Sequence, residues 1–232
     1  PFIMPTMQGF GPKIPRIQYS MIKSRFLNAH PQAQLSYEEW MKEAHKFSEQ
    51  LTDEVLAESV SRLPQSSIDI RGKAILNDLK SRRDAIPVAM DKYYRFVNNI
   101  VDVHLSNKNE KVRIEDAPDN ALSIKITKIN KEGEETKLLM DKIFSPDMTR
   151  EVRVYLGKGM DSVFVNTSNT DIKLRIIGSY DPKAYVIQHS NKTIRLYDNS
   201  ASSHFSGNID RLHVKSTKDS ANVDFVPVNL YN

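Results

Sequence analysis

The spacing of apolar residues changes character near residue 100. Upstream they recur every three or four positions, the period of a helix with one buried face. Downstream they alternate with polar residues, the period of a half-buried strand. In "SYEEWMKEAHKFSEQL" the residues Tyr37, Trp40, Met41, Ala44, Phe47 and Leu51 share one helical face. Ser36 and Glu39 have the spacing of a capping box, in which each side chain satisfies an orphaned backbone N–H. Thr52, followed by Asp53 and Glu54, predicts the start of a second short helix, because the acids suit the positive end of its dipole; Pro64 stops it. A third helical stretch runs from about Gly72 to Val101, with Ile75, Leu76, Leu79, Ile86, Met90, Tyr93, Val97 and Ile100 on its buried side. Pro87 lies inside it and should kink the helix or split it in two, since it lacks an N–H and its ring clashes with the preceding turn. Trp40, Phe47, Tyr93 and Phe96 are expected in the core of this helical bundle. Residues 1–17, rich in Pro and Gly and without a period, are expected to form an irregular arm.

From Val101 onward short alternating runs follow one another: "KVRIED", "ALSIKITKI", "KLLMDKIF", "EVRVYL", "SVFVN", "DIKLRIIG", "AYVIQ", "KTIRLYD", "RLHVK" and "NVDFVPV". "NKEGEET" between the second and third reads as a hairpin turn. "VRVY", "LRII" and "IRLY" share an apolar-Arg-apolar-apolar pattern, with Arg153, Arg175 and Arg195 at intervals of 22 and then 20 positions. One recurring strand per unit at that period predicts stacked β-coils. A sandwich of regular hairpins would produce the same pattern. The expected fold is therefore α+β: a helical subdomain over residues 1–100, then a β-rich subdomain over 101–232 that is a short β-solenoid-like stack or a β-sandwich. Gly157 and Gly178 are expected at β-turns.

Composition narrows the function classes. No apolar run approaches the length of a membrane-spanning helix, so no membrane insertion by this segment is expected. The chain begins at Pro1 with no initiator Met or basic-apolar leader, and is expected to be a mature chain or a fragment of a longer one. With Cys 0, disulfides, thiol catalysis and cysteine-ligated zinc are excluded. A net charge of +4, from 33 basic and 29 acidic residues, is a weak bias for a nucleic-acid binder. Lys80, Arg82 and Arg83 in "LKSRRD" form the densest basic cluster and are the candidates for an anionic surface. Acids flank them, as on a solvated helix face, so nucleic acid is not the expected partner.

Catalytic signatures are absent: no G-x-x-x-x-G-K-[ST], no H-E-x-x-H and no G-x-S-x-G occurs. His30, His45, His104, His189, His204 and His213 stand apart from one another, not at ligand spacing. The carboxylate pairs Glu38–Glu39, Asp53–Glu54 and Glu134–Glu135 lie at predicted helix starts and turn tips, where they serve dipoles and solubility. One metal candidate remains. In "RVYLGKGMDSVFV" the residues Gly157, Gly159, Asp161 and Val163 occupy four of the five fixed places of the calcium-binding repeat G-G-x-G-x-D-x-U-x, with Leu156 where the first glycine belongs. A calcium ion there needs neighbouring copies, and the following ones, "RIIGSYDPKAYVI" and "RLYDNSASSHF", are degenerate. A structural turn is the expected role of this stretch, with Asp161, Gly157 and Gly159 as the candidate calcium site.

"QLTDEVLAESVSRLP" (Gln50 to Pro64), "LKSRRDAIPVAMDKYYRFV" (Leu79 to Val97), "REVRVYLGKGMDSVFV" (Arg150 to Val165) and "LRIIGS" (Leu174 to Ser179) together resemble a segment of very large Bacteroidetes exported proteins, often labelled metallophosphoesterases. In that family the segment precedes a C-terminal outer-membrane β-barrel of the surface-antigen type. The resemblance covers most of residues 36–200, in order. It implies a periplasmic or outer-membrane location and a spacing, docking or interaction role between neighbouring domains of the same polypeptide. The family's second glycine-rich turn often reads G-G-x-G-D-D where this chain has "GSYDPKA", and no catalytic residue of the family falls within this sequence. The expected function is thus a non-catalytic interdomain or interaction module. The alternatives are a calcium-stabilised binding module, an accessory domain of a phosphoesterase-type hydrolase, and an anionic-surface binder.

Overall fold

The computed structural model describes residues 10–14, 17 and 35–215. They divide into two compact units between Val97 and Asn98.

The first unit is helical. Helix α1 (Tyr37–Gln50) opens on the expected capping box: Ser36 Oγ accepts from the Glu39 N–H at 3.2 Å, and the Glu39 carboxylate accepts from the Ser36 N–H at 2.8 Å. Thr52 caps α2 (Asp53–Ser61), its hydroxyl accepting from the Val55 N–H at 3.3 Å. A short helical turn (Gln65–Ser67) and a π-helical turn (Ile68–Gly72), which the apolar period did not announce, lead into α3 (Lys73–Asp84). Pro87 splits the third stretch rather than kinking it. It falls in the first turn of α4 (Ile86–Asn98), where a missing N–H costs nothing.

Helix α1 packs on α4 through aromatic rings. Trp40 lies 6.1 Å from Tyr93 and 5.8 Å from Tyr94 between centroids, and its indole N–H donates to the Met90 carbonyl at 3.0 Å. The Tyr37 hydroxyl donates to Asp91 at 2.8 Å. Tyr93 is buried as expected, but Phe47 and Phe96 are not in the core: they are 54% and 51% exposed. Helical period states which side of a helix a residue takes, not whether anything reaches that end of it. Ile100, expected on the helix, opens a strand instead, since the run from Ile100 to Val103 is rich in β-branched residues and alternates.

The second unit is built from β1 (Ile100–His104), β2 (Glu110–Ala117), β3 (Ala121–Ile129), β4 (Glu135–Phe144), β5 (Glu151–Tyr155), β6 (Ser162–Thr167), β7 (Lys173–Ile177), β8 (Ala184–Ser190), β9 (Ile194–Tyr197), β10 (His204–Gly207) and β11 (Leu212–Lys215). One sheet has five strands in the order β1-β5-β7-β9-β11, and the other has six in the order β10-β8-β6-β2-β3-β4. Every pair in the five-stranded sheet is parallel, as are β2–β6, β6–β8 and β8–β10. The chain therefore lays one strand in each sheet per coil. Two pairs are antiparallel: β2–β3, and β3–β4, the hairpin that "NKEGEET" predicts. Parallel pairing decides for the stacked coils, because hairpin-linked sandwich strands would run antiparallel.

The core lies between the two sheets, where Val152, Val154, Ile176 and Leu196 of one meet Val163, Val165 and Ile187 of the other, all fully buried. Each contributes about 1.5–3 kcal/mol by leaving water. The strand expected at "NVDFVPV" and most of the N-terminal arm lie outside the described residues.

Candidate functional site

The glycine-rich turn between β5 and β6 is tightly built. Gly159 has φ +98°, a left-handed conformation that a side chain would strain, and a Cβ on Gly157 would stand 2.0 Å from the Ser106 carbonyl oxygen. Successive corners are stitched by side chains. Asn107 and Asn109 accept from the N–H groups of Lys158 and Met160, and Asp181 accepts from that of Gly159 at 2.9 Å. Gly178, the other expected turn glycine, follows β7 beside the buried Tyr185–Asp198 hydrogen bond.

Asp161 is buried in this corner. Its Oδ1 accepts from the Glu110 N–H at 3.0 Å, and its Oδ2 lies 2.9 Å from Lys183 Nζ, both side chains being fully shielded from solvent. Lys183 Nζ also donates to the Gly157 carbonyl at 2.8 Å and to the Gly159 carbonyl. These carbonyl and carboxylate oxygens are the kind that hard cations such as calcium take. Here they converge on an ammonium group. The structure thus brings the candidate calcium residues Asp161, Gly157 and Gly159 together around the ammonium of Lys183, 22 positions along and one coil further. The motif comparison missed it because it scored only glycines and acids. Burial pushes the Asp161 carboxyl up to about 6, against the lowering effect of Lys183. Among the described residues, no group of three or more His, Asp or Glu is placed to hold a metal ion.

The basic cluster of the helical unit has structural partners. Lys80 and Arg83 each pair with Asp53 at 2.7 Å, and Arg83 donates to the Leu51 carbonyl at 3.1 Å, so both tie α3 to the start of α2. The Asp53 carboxyl is held below its usual range, first by Lys80 and then by Arg83. Arg82 donates to the carbonyls of Gly11 and Lys13 and covers the Phe10 ring at 5.2 Å. The acid pairs are structural too: Glu39 closes a cap, Asp53 anchors two cations, and Glu135 pairs with Lys111 and Arg113.

The repeat that marked the coils produces a different arrangement on the outer face of the five-stranded sheet. Strand register aligns Asp102, Arg153, Arg175, Arg195 and His213 in one column, one residue per strand. At the β1–β5 end the column is neutralised within the chain. Glu151 accepts from Arg153 at 3.1 Å and pairs with Arg175 at 2.9 Å, while Asp102 lies 3.8 Å from Arg153. Burial raises the Asp102 carboxyl, with Arg153 opposing it. Over β7, β9 and β11 the compensation stops: Lys173, Arg195 and Lys215 have no ion-pair partner among the described residues. A groove of about 580 Å³ opens there, lined by Glu151, Lys173, Arg175, Arg195, His213 and Lys215 among others. The arginine spacing was visible in the sequence as a mark of the fold, but nothing in it showed which arginines would keep a free charge.

Comparison with protein-family models, curated proteins and solved structures gives no match. Among the described residues, no helix is long and apolar enough to cross a membrane.

Proposed function

We propose that this chain is a non-catalytic interaction module of a large exported, outer-membrane-associated protein. The observation that best supports this reading is the parallel coil stack, whose outer sheet face holds side chains in register across five strands. Stacked repeats of this kind expose extended, regular surfaces suited to binding. Several buried titratable groups are engaged in holding the fold: Asp161 with Lys183, Tyr185 with Asp198, and Glu110 with Ser106. The resemblance of "LTDEV", "LKSRRD" and "REVRVYLGKGMDSVF" to the exported Bacteroidetes proteins supports the periplasmic or outer-membrane setting, with neighbouring domains of the same polypeptide as partners.

The test is hydrolysis. The purified chain is incubated with mono- and diester nitrophenyl phosphates, with and without added divalent cations. Product should form at the buffer rate. Turnover that co-elutes with the protein and is lost on mutating a surface carboxylate pair would overturn the reading in favour of a phosphoesterase.

A further inference from the structure

We infer that the groove at the β7–β9–β11 end of the five-stranded sheet binds a small multivalent oxyanion, carboxylate or phosphate, between Arg175 and Arg195. This deepens the interaction reading above by naming the chemistry of one ligand.

The argument starts from a carboxylate that the chain itself supplies. Glu151 on β5 sits beside two arginines of adjacent strands and pairs with both, Arg153 at 3.1 Å and Arg175 at 2.9 Å. One coil further the same geometry recurs: Arg175 and Arg195 are again register partners on adjacent strands, about 4.8 Å apart across the sheet. The register partner of Glu151 is Lys173. The second arginine pair thus has an ammonium beside it where the first has a carboxylate, and among the described residues no carboxylate pairs with Arg195. Arg175 also carries a buried Nε with no hydrogen-bond partner, while Glu151 takes its Nη2.

The surroundings add positive charge without adding acid. Lys173 and Lys215 flank the pair, His213 continues the column, and among the described residues Glu151 is the one carboxylate lining the groove. Lys192, also in the lining, is held by the Asp171 carbonyl at 2.6 Å and its carboxylate at 3.2 Å. Guanidinium forks match the two oxygens of a carboxylate or phosphate group. A volume of about 580 Å³ is in the range of small-molecule sites. A ligand with several anionic groups would bridge Arg175 and Arg195 with one and reach Lys173 or Lys215 with another.

The test is calorimetric titration of the full chain with citrate and, separately, with inorganic pyrophosphate, at about 150 mM salt, where charges beyond about 8 Å are screened. Saturable binding at one site per chain is expected from at least one probe. Citrate alone would indicate a carboxylate ligand, and pyrophosphate alone a phosphate ligand. Arg195→Ala, an exposed position, should weaken binding about tenfold or more, and Lys80→Ala in the helical unit should leave it unchanged. Lys173→Glu is the sharper variant, because it builds the missing carboxylate one coil above Glu151. It should abolish probe binding without lowering the melting temperature. No saturable heat from either probe, or binding that survives both Arg195→Ala and Lys173→Glu, would overturn the assignment. Such a failure leaves the interaction reading standing, since that reading falls only to phosphoester turnover.

Discussion

At the scale of single residues, the buried lysine is the sharpest departure from what the glycine-rich motif suggests. Lys183 brings one charge to two carbonyls and the Asp161 carboxylate, in a place closed to solvent. Removing one partner of a buried pair leaves the other charge uncompensated, typically at a cost of about 3–5 kcal/mol. Lys183→Met should therefore lower stability in urea by that order at pH 7. Part of the loss should return on acidification, because Asp161 is then protonated and no buried anion remains. In the native protein the folded-state value of Asp161 is raised to about 6, so the folded chain holds this proton more tightly than the unfolded one. The sign follows from linkage: this group's contribution is greatest below about pH 4 and is lost as pH rises towards about 6. Asp161→Asn should remove that slope from a stability–pH profile measured over the same interval. Calcium added to the native protein should produce neither binding heat nor a thermal shift, because the ammonium already takes these oxygens. A calcium-dependent shift abolished by Asp161→Ala would restore the metal reading.

Among the elements, the corners decide whether the coils can stack. Gly157 lies against the Ser106 carbonyl of the preceding coil, where an added methyl would stand 2.0 Å from oxygen. Gly157→Ala should destabilise on the order of 3 kcal/mol, since backbone must move on both sides of the contact. Denaturant midpoints of the variant and the native chain check this; a change under about 0.5 kcal/mol would show that the corner is looser than described. Helix starts and stops were readable because capping is local chemistry: Ser36 with Glu39, Thr52, and Pro87 act within a few residues of themselves. Phe47 and Phe96 were misplaced because burial requires a partner from elsewhere in the chain. The π-helical turn over Ile68–Gly72 leaves no periodic mark in the sequence, because its wider turn breaks the helical spacing of apolar residues.

At the scale of the molecule, each unit has its own reason to hold together. The β-unit core from Val101 to Leu196 is one continuous cluster drawn from both sheets, and the helical unit relies on its aromatic contacts and the Asp53 ion pairs. A chain beginning at Asn98 should fold alone, giving a β-type far-ultraviolet spectrum and a cooperative thermal transition. A noncooperative melt would mean that the coils depend on the preceding helices. Coil stacks owe their stability to contacts between neighbouring repeats, so a variant at Asp102 on β1, outside the groove lining, should have little effect on groove binding.

The linear order of residues settled what depends on neighbours along the chain. It determined the two-part α+β division, the capped helices, the β3–β4 hairpin and the coil period marked by Arg153, Arg175 and Arg195. Tertiary structure settled what depends on residues a coil or more apart. Parallel pairing chose stacked coils over a sandwich, and it placed Lys183 on the oxygens that the motif offered to calcium. It also put Glu151 between Arg153 and Arg175 and left Arg195 without a carboxylate partner among the described residues. Local sequence encodes periods and caps because those interactions span three or four residues. The partners of Asp161 and Arg175 come from register across neighbouring strands, which only the folded sheet defines.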